Sequence, residues 1–397
     1  MAKELIYLTG NKKIAVEKND NEIINVFVND SKYKKDDLET RSLDQIASDL
    51  KRKAYNDFLS KRFENVIILT GAGSSFECGG PLMSTLWDET EKKINNKASN
   101  GQKPKFDQLL EKLKFKSKSK NLETLLSKAK IAKDYIENNE DINGFISETE
   151  EIIKKRCDLK LKETVTHTTF LKKLVKRKST DPRVKVFTLN YDTLFEQAAQ
   201  KLGITVIDGF SFATPRLFNG NNFDYDIVHR EKSRLKDEDN FIQNVIHLYK
   251  PHGSLNWESK EGQVYQVENP DEPLMIYPHS GKYESSYEQP FFEMMSRFQQ
   301  AIRTPNTLLI SIGFSFGDKH IVTAIQEALN HNTGFQLMVV NKGVEGNDKL
   351  LIEAANIYED IVLVDELFED FAIHYPELKS YNSNEARKIE IFIPNEK

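Results

Sequence analysis

A chain of 397 residues, 39% hydrophobic and 29% charged, has room for two or three folded domains and excludes a disordered chain. Its apolar runs are far shorter than the roughly 20 residues of a membrane span, and the opening MAKELIYLTGNKK lacks the charged-then-apolar order of a secretory leader, so the cytoplasm is expected. Two cysteines, Cys78 and Cys157, exclude a disulfide framework and a four-thiolate zinc site, and no metal is expected.

Residues 1–60 read as an N-terminal extension. ELIYL and IINVFV have the composition of short strands, and a helix follows with Leu43, Ile46, Leu50, Ala54, Tyr55 and Leu59 at helical spacing. Val66-Ile67-Ile68-Leu69 is an uninterrupted apolar run before a glycine, which is how a strand covered on both faces reads. From about 90 to 180 the pattern turns helical, because FDQLLEKLKF, LETLLSKAKIAKDYI, FISETEEIIKK and TTFLKKLVKRK carry apolar residues three and four apart.

The strand pattern returns at Val184–Phe187, followed by a helix expected from Tyr191 to Leu202. It recurs at 204–207, 245–248, 307–312, 337–340 and 361–364. Strands alternating with helices predict an α/β fold, a Rossmann-like open parallel sheet over 61–90 and 181–375. An inserted helical module over 91–180 and a C-terminal tail over 376–397 complete the division.

The inserted module is basic. Glu91 to Lys178 holds 23 Lys/Arg against 13 Asp/Glu, a net of +10 in a chain of net −5, so the remainder carries −15. Such an asymmetry fits an acidic partner, a nucleic acid or a self-docking surface, and equally a solvated face of lysine-rich helices. KLKFKSKSK at 112–120 is its densest stretch and reads as a loop or helix end.

Five strand ends carry polar residues suited to chemistry. Thr70-Gly71-Ala72-Gly73-Ser74-Ser75 follows the first buried strand, where glycines permit a tight turn and close approach of backbone to an anion. It departs from the G-x-G-x-x-G pattern because Phe76 takes the last position, and a purely structural turn explains it nearly as well. Thr188-Leu189-Asn190-Tyr191-Asp192 follows the next strand and is also a good helix cap. Lys250-Pro251-His252-Gly253-Ser254 presents an imidazole beside a glycine. Gly313-Phe314-Ser315-Phe316-Gly317-Asp318 and Val339-Val340-Asn341 close the series; singly, both are more often turns and caps than ligand sites.

Taken in order, these strand ends resemble the sirtuin family, with GAGSS, TLNYD, HGS, GFSFGD and VVN at its motif positions, over about 65–90 and 181–345. The resemblance implies an enzyme that breaks the nicotinamide–ribose bond of NAD. It implies that Gly71, Ala72, Gly73 and Ser74 cradle the pyrophosphate and that Asn190 holds the ribose or the attacking water. Asp192 would bind the nicotinamide carboxamide, and His252 would act as general base. Gly313 and Ser315 would contact phosphate and Asn341 the adenosine ribose; no role is assigned to Asp318.

The chain also departs from the protein deacylases of that family. It has no cysteine between His252 and Ser311, where they carry a zinc ribbon, and Gly80-Pro81-Leu82-Met83 stands where they continue with PDFR. With the Asn121–Ser127 segment NLETLLS and the GFSF-x-D ending, it looks more like the sirtuin-like effectors of bacterial antiphage systems. That likeness implies an NAD hydrolase that depletes cellular NAD, with ADP-ribose as product and a trigger supplied in trans. A HerA-type ATPase or another trigger protein is the expected partner, a homo-oligomer the expected assembly, and nucleic acid enters only through such a partner. An NAD-dependent deacylase and a non-catalytic NAD or ADP-ribose sensor are the alternatives. Retention of both Asn190 and His252 speaks against the sensor.

Overall fold

The computed structural model describes residues 3–20, 22–36, 39–96, 105–116, 120–137, 139–163, 166–178, 181–229, 241–276, 289–347 and 349–377. The expected tail from 378 onward and Lys118 of the lysine-rich stretch lie outside them.

The N-terminal segment is more strand-rich than its sequence suggests. β1 (Lys3–Thr9), β2 (Lys12–Asn19), β3 (Glu22–Val28) and the short β4 (Ser31–Lys32) form an antiparallel meander. β2 escapes a reading by composition because lysines flank its three buried residues, Ile14, Ala15 and Val16. α1 (Leu43–Leu59) follows, its start set by a reciprocal capping box between Ser42 and Gln45.

β5 (Asn65–Thr70) begins the parallel sheet, and a 3-10 turn over Ala72–Cys78 leads to α2 (Met83–Asn95), α3 (Lys105–Lys112), α4 (Leu122–Ala132), α5 (Glu140–Cys157) and α6 (Thr166–Leu174). Then come β6 (Val184–Thr188), α7 (Leu194–Leu202), β7 (Thr205–Ile207), β8 (Arg216–Leu217) and β9 (Val245–Tyr249). β10 (Trp257–Lys260) and β11 (Gln263–Gln266) pair with β8 in a small separate sheet. α8 (Phe291–Arg303), β12 (Thr307–Ile312), α9 (Lys319–His331), β13 (Phe335–Asn341), α10 (Lys349–Ile357), β14 (Ile361–Asp365) and α11 (Phe368–His374) complete the described chain. α7 begins three residues later than its apolar spacing suggests, because Asn190–Thr193 form a turn and Asp192 Oδ1 accepts the Leu194 N–H.

Among the described residues the main sheet has 11 strands, ordered β4-β3-β2-β1-β14-β13-β12-β5-β6-β9-β7. From β14 to β7 every pairing is parallel, and the N-terminal meander joins through the antiparallel pair β1–β14. The expected Rossmann-like α/β architecture is therefore present, extended at one edge.

Each parallel strand feeds two cores by simple alternation. Val66, Ile68, Leu308 and Ile310 pack on one face with α1, α6, α7 and α11, whereas Ile67, Leu69 and Leu309 pack on the other with α8 and α9. A third apolar cluster belongs to α2–α5, centred on Trp87, Phe106, Leu125, Leu126, Phe145 and Ile153. α6 is not part of it; Phe170, Leu171 and Leu174 lie under the sheet. The helical module thus has its own interior, joined by Tyr191 from the turn after β6. No helix among the described residues is long and apolar enough to cross a membrane.

Candidate active site

Parallel strands deliver all their C-terminal ends to one edge, and ligands of such sheets sit where the strand order reverses. Here β6 lies on one side of β5 and β12 on the other, so the reversal falls between the GAG turn and the Gly313–Asp318 loop. The two loops touch backbone to backbone. Gly71 N–H donates to Ile312 O, Gly73 N–H to Gly313 O and Gly313 N–H to Val340 O, each at 3.0 Å. A Cβ on Gly73 would fall 2.7 Å from Gly313 Cα. Gly313 has φ +62°, and a Cβ there would fall 2.5 Å from Ser74 N. No larger residue fits this approach.

These contacts alter one expectation. The amides of Gly71, Gly73 and Ser74 are bound to protein carbonyls, and the Ser74 hydroxyl donates to Gly71 O at 2.9 Å. Ser74 therefore shapes the turn from beneath. Ser75 takes its place in the wall of a cleft of about 660 Å³, a volume usual for a ligand site. Of the expected residues, Gly71, Ala72, Gly73, Asn190, Asp192, His252, Gly313, Ser315 and Asn341 all line this cleft.

Asn190 sits where the turn after β6 crosses the GAG turn. Its Nδ2 lies 3.0 Å from Gly71 O, 3.1 Å from Ser74 Oγ and 2.8 Å from Ser75 Oγ. Oδ1 has no partner among the described residues and is left as an acceptor. Asp192 is buried, with Oδ2 accepting from Ser75 Oγ at 2.6 Å and Oδ1 from Leu194 N–H at 3.1 Å. Both oxygens thus support the turn, and each retains a lone pair for a ligand amide.

Lys250 accounts for how this turn is held. Its ammonium, 2% exposed, donates to the Asp192 carbonyl, to Ser254 Oγ at 2.8 Å and to the Glu196 carboxylate at 3.1 Å. A buried cation is tolerated only with such partners. It ties the Asn190–Asp192 turn to the loop carrying His252. The only sequence signal was its place beside Pro251 and His252.

His252 has a partner that the sequence did not assign. Its Nε2 lies 2.9 Å from Asp318 Oδ2, and both side chains are 9% exposed. Asp318 Oδ1 also caps α9, accepting from His320 N–H at 2.8 Å. Burial pushes the Asp318 carboxyl up, but the His252 hydrogen bond and charge and the α9 amides outweigh it and hold the carboxyl below the ordinary aspartate value. An ionised Asp318 fixes the imidazole with its proton on Nε2 and leaves Nδ1 as the basic nitrogen. Nδ1 has no partner among the described residues.

The facing wall comes from the helical module. Asn121, Glu123 and Thr124 of the α4 N-terminus line the cleft, as do Cys157 and Leu159. Asn121 Oδ1 caps the helix through Thr124 N–H at 2.9 Å, and Tyr191 Oη lies 3.3 Å from Glu123 Oε1. At the other end, Asn341 Nδ2 donates to Phe314 O at 2.8 Å and to Asn347 Oδ1 at 3.1 Å, securing the β12 loop to the end of β13. Lys319 stands exposed at the mouth, without an ion pair among the described residues.

Residues 184–358 match the SIR2-like domain family, a span from β6 to just beyond α10. No curated protein sequence matches the chain. Among solved structures, a Sir2 homologue in complex with ADP-ribose is similar at 13% identity, over 79% of this chain and 92% of that one, with a TM-score of 0.38. A structure titled for the basis of sirtuin substrate affinity is similar at 14% identity, over 81% and 96%, with a TM-score of 0.40. A Sir2 complex with an inhibitor, 2′-O-acetyl-ADP-ribose and a deacetylated peptide gives 14% identity, the same coverages and a TM-score of 0.38.

Proposed function

We propose that this chain, whose residues 184–358 match the SIR2-like domain family, is an NAD glycohydrolase, cleaving the nicotinamide–ribose bond to release nicotinamide and ADP-ribose. The observation that carries this reading is the meeting of Asn190 and an Asp318-oriented His252 in one cleft, beside a turn too tight for any residue but glycine. Gly71, Ala72, Gly73, Gly313 and Ser315 would lie along the pyrophosphate, with Lys319 as its countercharge. Asn341 would face the adenosine ribose, and Asp192 the carboxamide.

The chemistry asks little of an acid. The C1′–N bond breaks with its electron pair passing to the ring nitrogen, so nicotinamide leaves neutral. Water then bonds to the oxocarbenium-like C1′, and its proton passes to His252 Nδ1. Asn190 Oδ1 would position that water or a ribose hydroxyl. NAD and water are thus converted into nicotinamide, ADP-ribose and a proton, and NAD serves as substrate.

An unrestrained NAD hydrolase would exhaust its host, so control belongs to the reading. We take the N-terminal segment 1–60 and the module 91–180 as the places where a homo-oligomer contact or a trigger protein such as a HerA-type ATPase would act. An antiphage role and a cytoplasmic location follow from that assignment.

The test is product analysis of the full-length protein with NAD, alone and with the candidate trigger. Asn190→Ala and His252→Ala should each lower nicotinamide release by about 10²- to 10⁴-fold while circular dichroism stays unchanged. Acyl transfer from an acylated peptide without free NAD hydrolysis would instead identify a deacylase. Binding of ADP-ribose with no turnover under either condition would identify a sensor.

A further inference from the structure

The cleft contains a carboxyl group that no step above uses. Glu123 belongs to the first turn of α4, in the helical module, and it lines the cleft together with Asn190, Tyr191, His252 and Asp318. It is half-buried. Oε1 is met by the Tyr191 hydroxyl at 3.3 Å, but that hydroxyl also lies 3.0 Å from the Ile276 carbonyl, and its one proton serves one acceptor at a time. Oε2 has no partner among the described residues. Burial pushes the carboxyl above the ordinary glutamate value, opposed by the charge of His252 and the Tyr191 hydrogen bond and reinforced by Asp318.

A carboxylate at a helix N-terminus has a structural explanation, since it complements the helix dipole. That explanation does not require the side chain to enter a cleft or to face a histidine. Neither does it account for a site with an acceptor amide, an imidazole and a hydroxyl but no other uncommitted anion. Asp318 is engaged by His252 and the α9 amides, and Asp192 by Ser75 and Leu194. Cleavage of a pyridinium riboside moves positive charge from the ring onto the sugar, and a fixed negative charge beside the sugar lowers that barrier.

We infer that Glu123 is a catalytic residue which the helical module contributes to the sheet's active site, its carboxylate facing the ribosyl cation as the nicotinamide bond breaks. The inference rests on the hydrolase reading of the cleft. It makes the active site composite, the base and the water-positioning amide coming from the sheet and the anion from the module. No proton is transferred to Glu123 in this role. The role requires the ionised form, which burial disfavours and the positively charged substrate favours.

The experiment compares wild type, Glu123→Gln and Glu123→Asp as full-length proteins, with Arg303→Ala as a surface variant outside the cleft lining. Turnover of NAD, its pH profile, and calorimetric affinities for NAD and ADP-ribose are measured. Glu123→Gln should lower kcat by about 100-fold and weaken NAD several-fold relative to ADP-ribose, which lacks the pyridinium charge. In Glu123→Gln the acid limb of the pH profile should lose the contribution of Glu123. Glu123→Asp should recover part of the rate, and Arg303→Ala should match wild type. Wild-type kcat and NAD affinity in Glu123→Gln, with only a lower melting temperature, would overturn the inference and leave a helix-dipole role. A wild-type protein that binds NAD but never releases nicotinamide would overturn the hydrolase reading instead. In that case the selective loss of NAD over ADP-ribose still decides whether Glu123 faces the cationic end.

Discussion

The two walls of the cleft are built on different principles. On the sheet side, five strand-end loops rest on one another through backbone hydrogen bonds and glycine contacts, so their positions are coupled to the register of β5, β6, β12 and β13. On the module side, α2–α5 close over their own apolar cluster, tied outwardly by exposed ion pairs such as Lys112–Asp141 and Lys120–Asp88. A wall set by strand register tolerates almost no change. A wall set by helix packing depends instead on side-chain contacts within its own cluster.

The sharpest way to break this comparison is at Gly313. A methyl there meets the Gly73–Ser74 backbone at 2.5–2.6 Å and forces a side chain into the left-handed region. Gly313→Ala should cost more than the roughly 1–3 kcal/mol of backbone strain alone. Thermal unfolding and ADP-ribose calorimetry should show a lowered midpoint and lost binding together. A variant binding ADP-ribose like wild type would show that this wall is softer than its contacts imply.

A smaller effect is expected at Asp318, where the asparagine side chain can keep the α9 cap but not the charge that orients His252. Asp318→Asn should reduce kcat by about 10- to 100-fold with little change in NAD affinity. It also carries a stability signature. The folded-state pKa lies below the unfolded one, so the ionised carboxyl contributes stability that is present above the unfolded value near 3.8 and is lost as the pH falls through the folded value. The wild-type advantage over Asp318→Asn in urea midpoint should therefore be largest near neutrality and shrink below about pH 4. An advantage that does not vary with pH would remove the ionised pair from the account.

The smallest effect is expected from the lysine-rich stretch. Lys112 and Lys120 make exposed ion pairs, which solvent screens and which add little to stability. Reversing Lys112, Lys114, Lys116, Lys118 and Lys120 to glutamate should shift the unfolding midpoint by only a few degrees. The same change should weaken assembly or trigger binding in a salt-dependent way, read as molecular mass and as NAD turnover with the partner. Unchanged mass, partner binding and regulation would reduce this stretch to a solvated surface.

What could be read without tertiary structure divides along the same line. The α/β sheet was legible because strands buried on both faces need uninterrupted apolar runs, and Val66–Leu69, Val184–Phe187 and Thr307–Ile312 have them. The cleft-lining candidates were legible because a parallel sheet brings its strand ends to one edge, so order along the chain becomes proximity in space. β2 was missed for the opposite reason, since the lysines flanking its three buried residues dilute the apolar signal.

By itself, then, the sequence determined the strand ends, the turns that only glycine can make and the placement of Asn190 and His252 among them. Tertiary structure alone decided that Asp318, 66 residues from His252, would orient its imidazole. It also decided that Ser74 would lie beneath the wall rather than in it, that Lys250 would clasp the Asn190 turn, and that Glu123 would enter from a separately packed module. Local patterns report the period of a strand or the cap of a helix. Which cap carboxylate faces solvent and which faces a cleft depends on packing between elements distant in sequence, and no spacing along the chain encodes it directly.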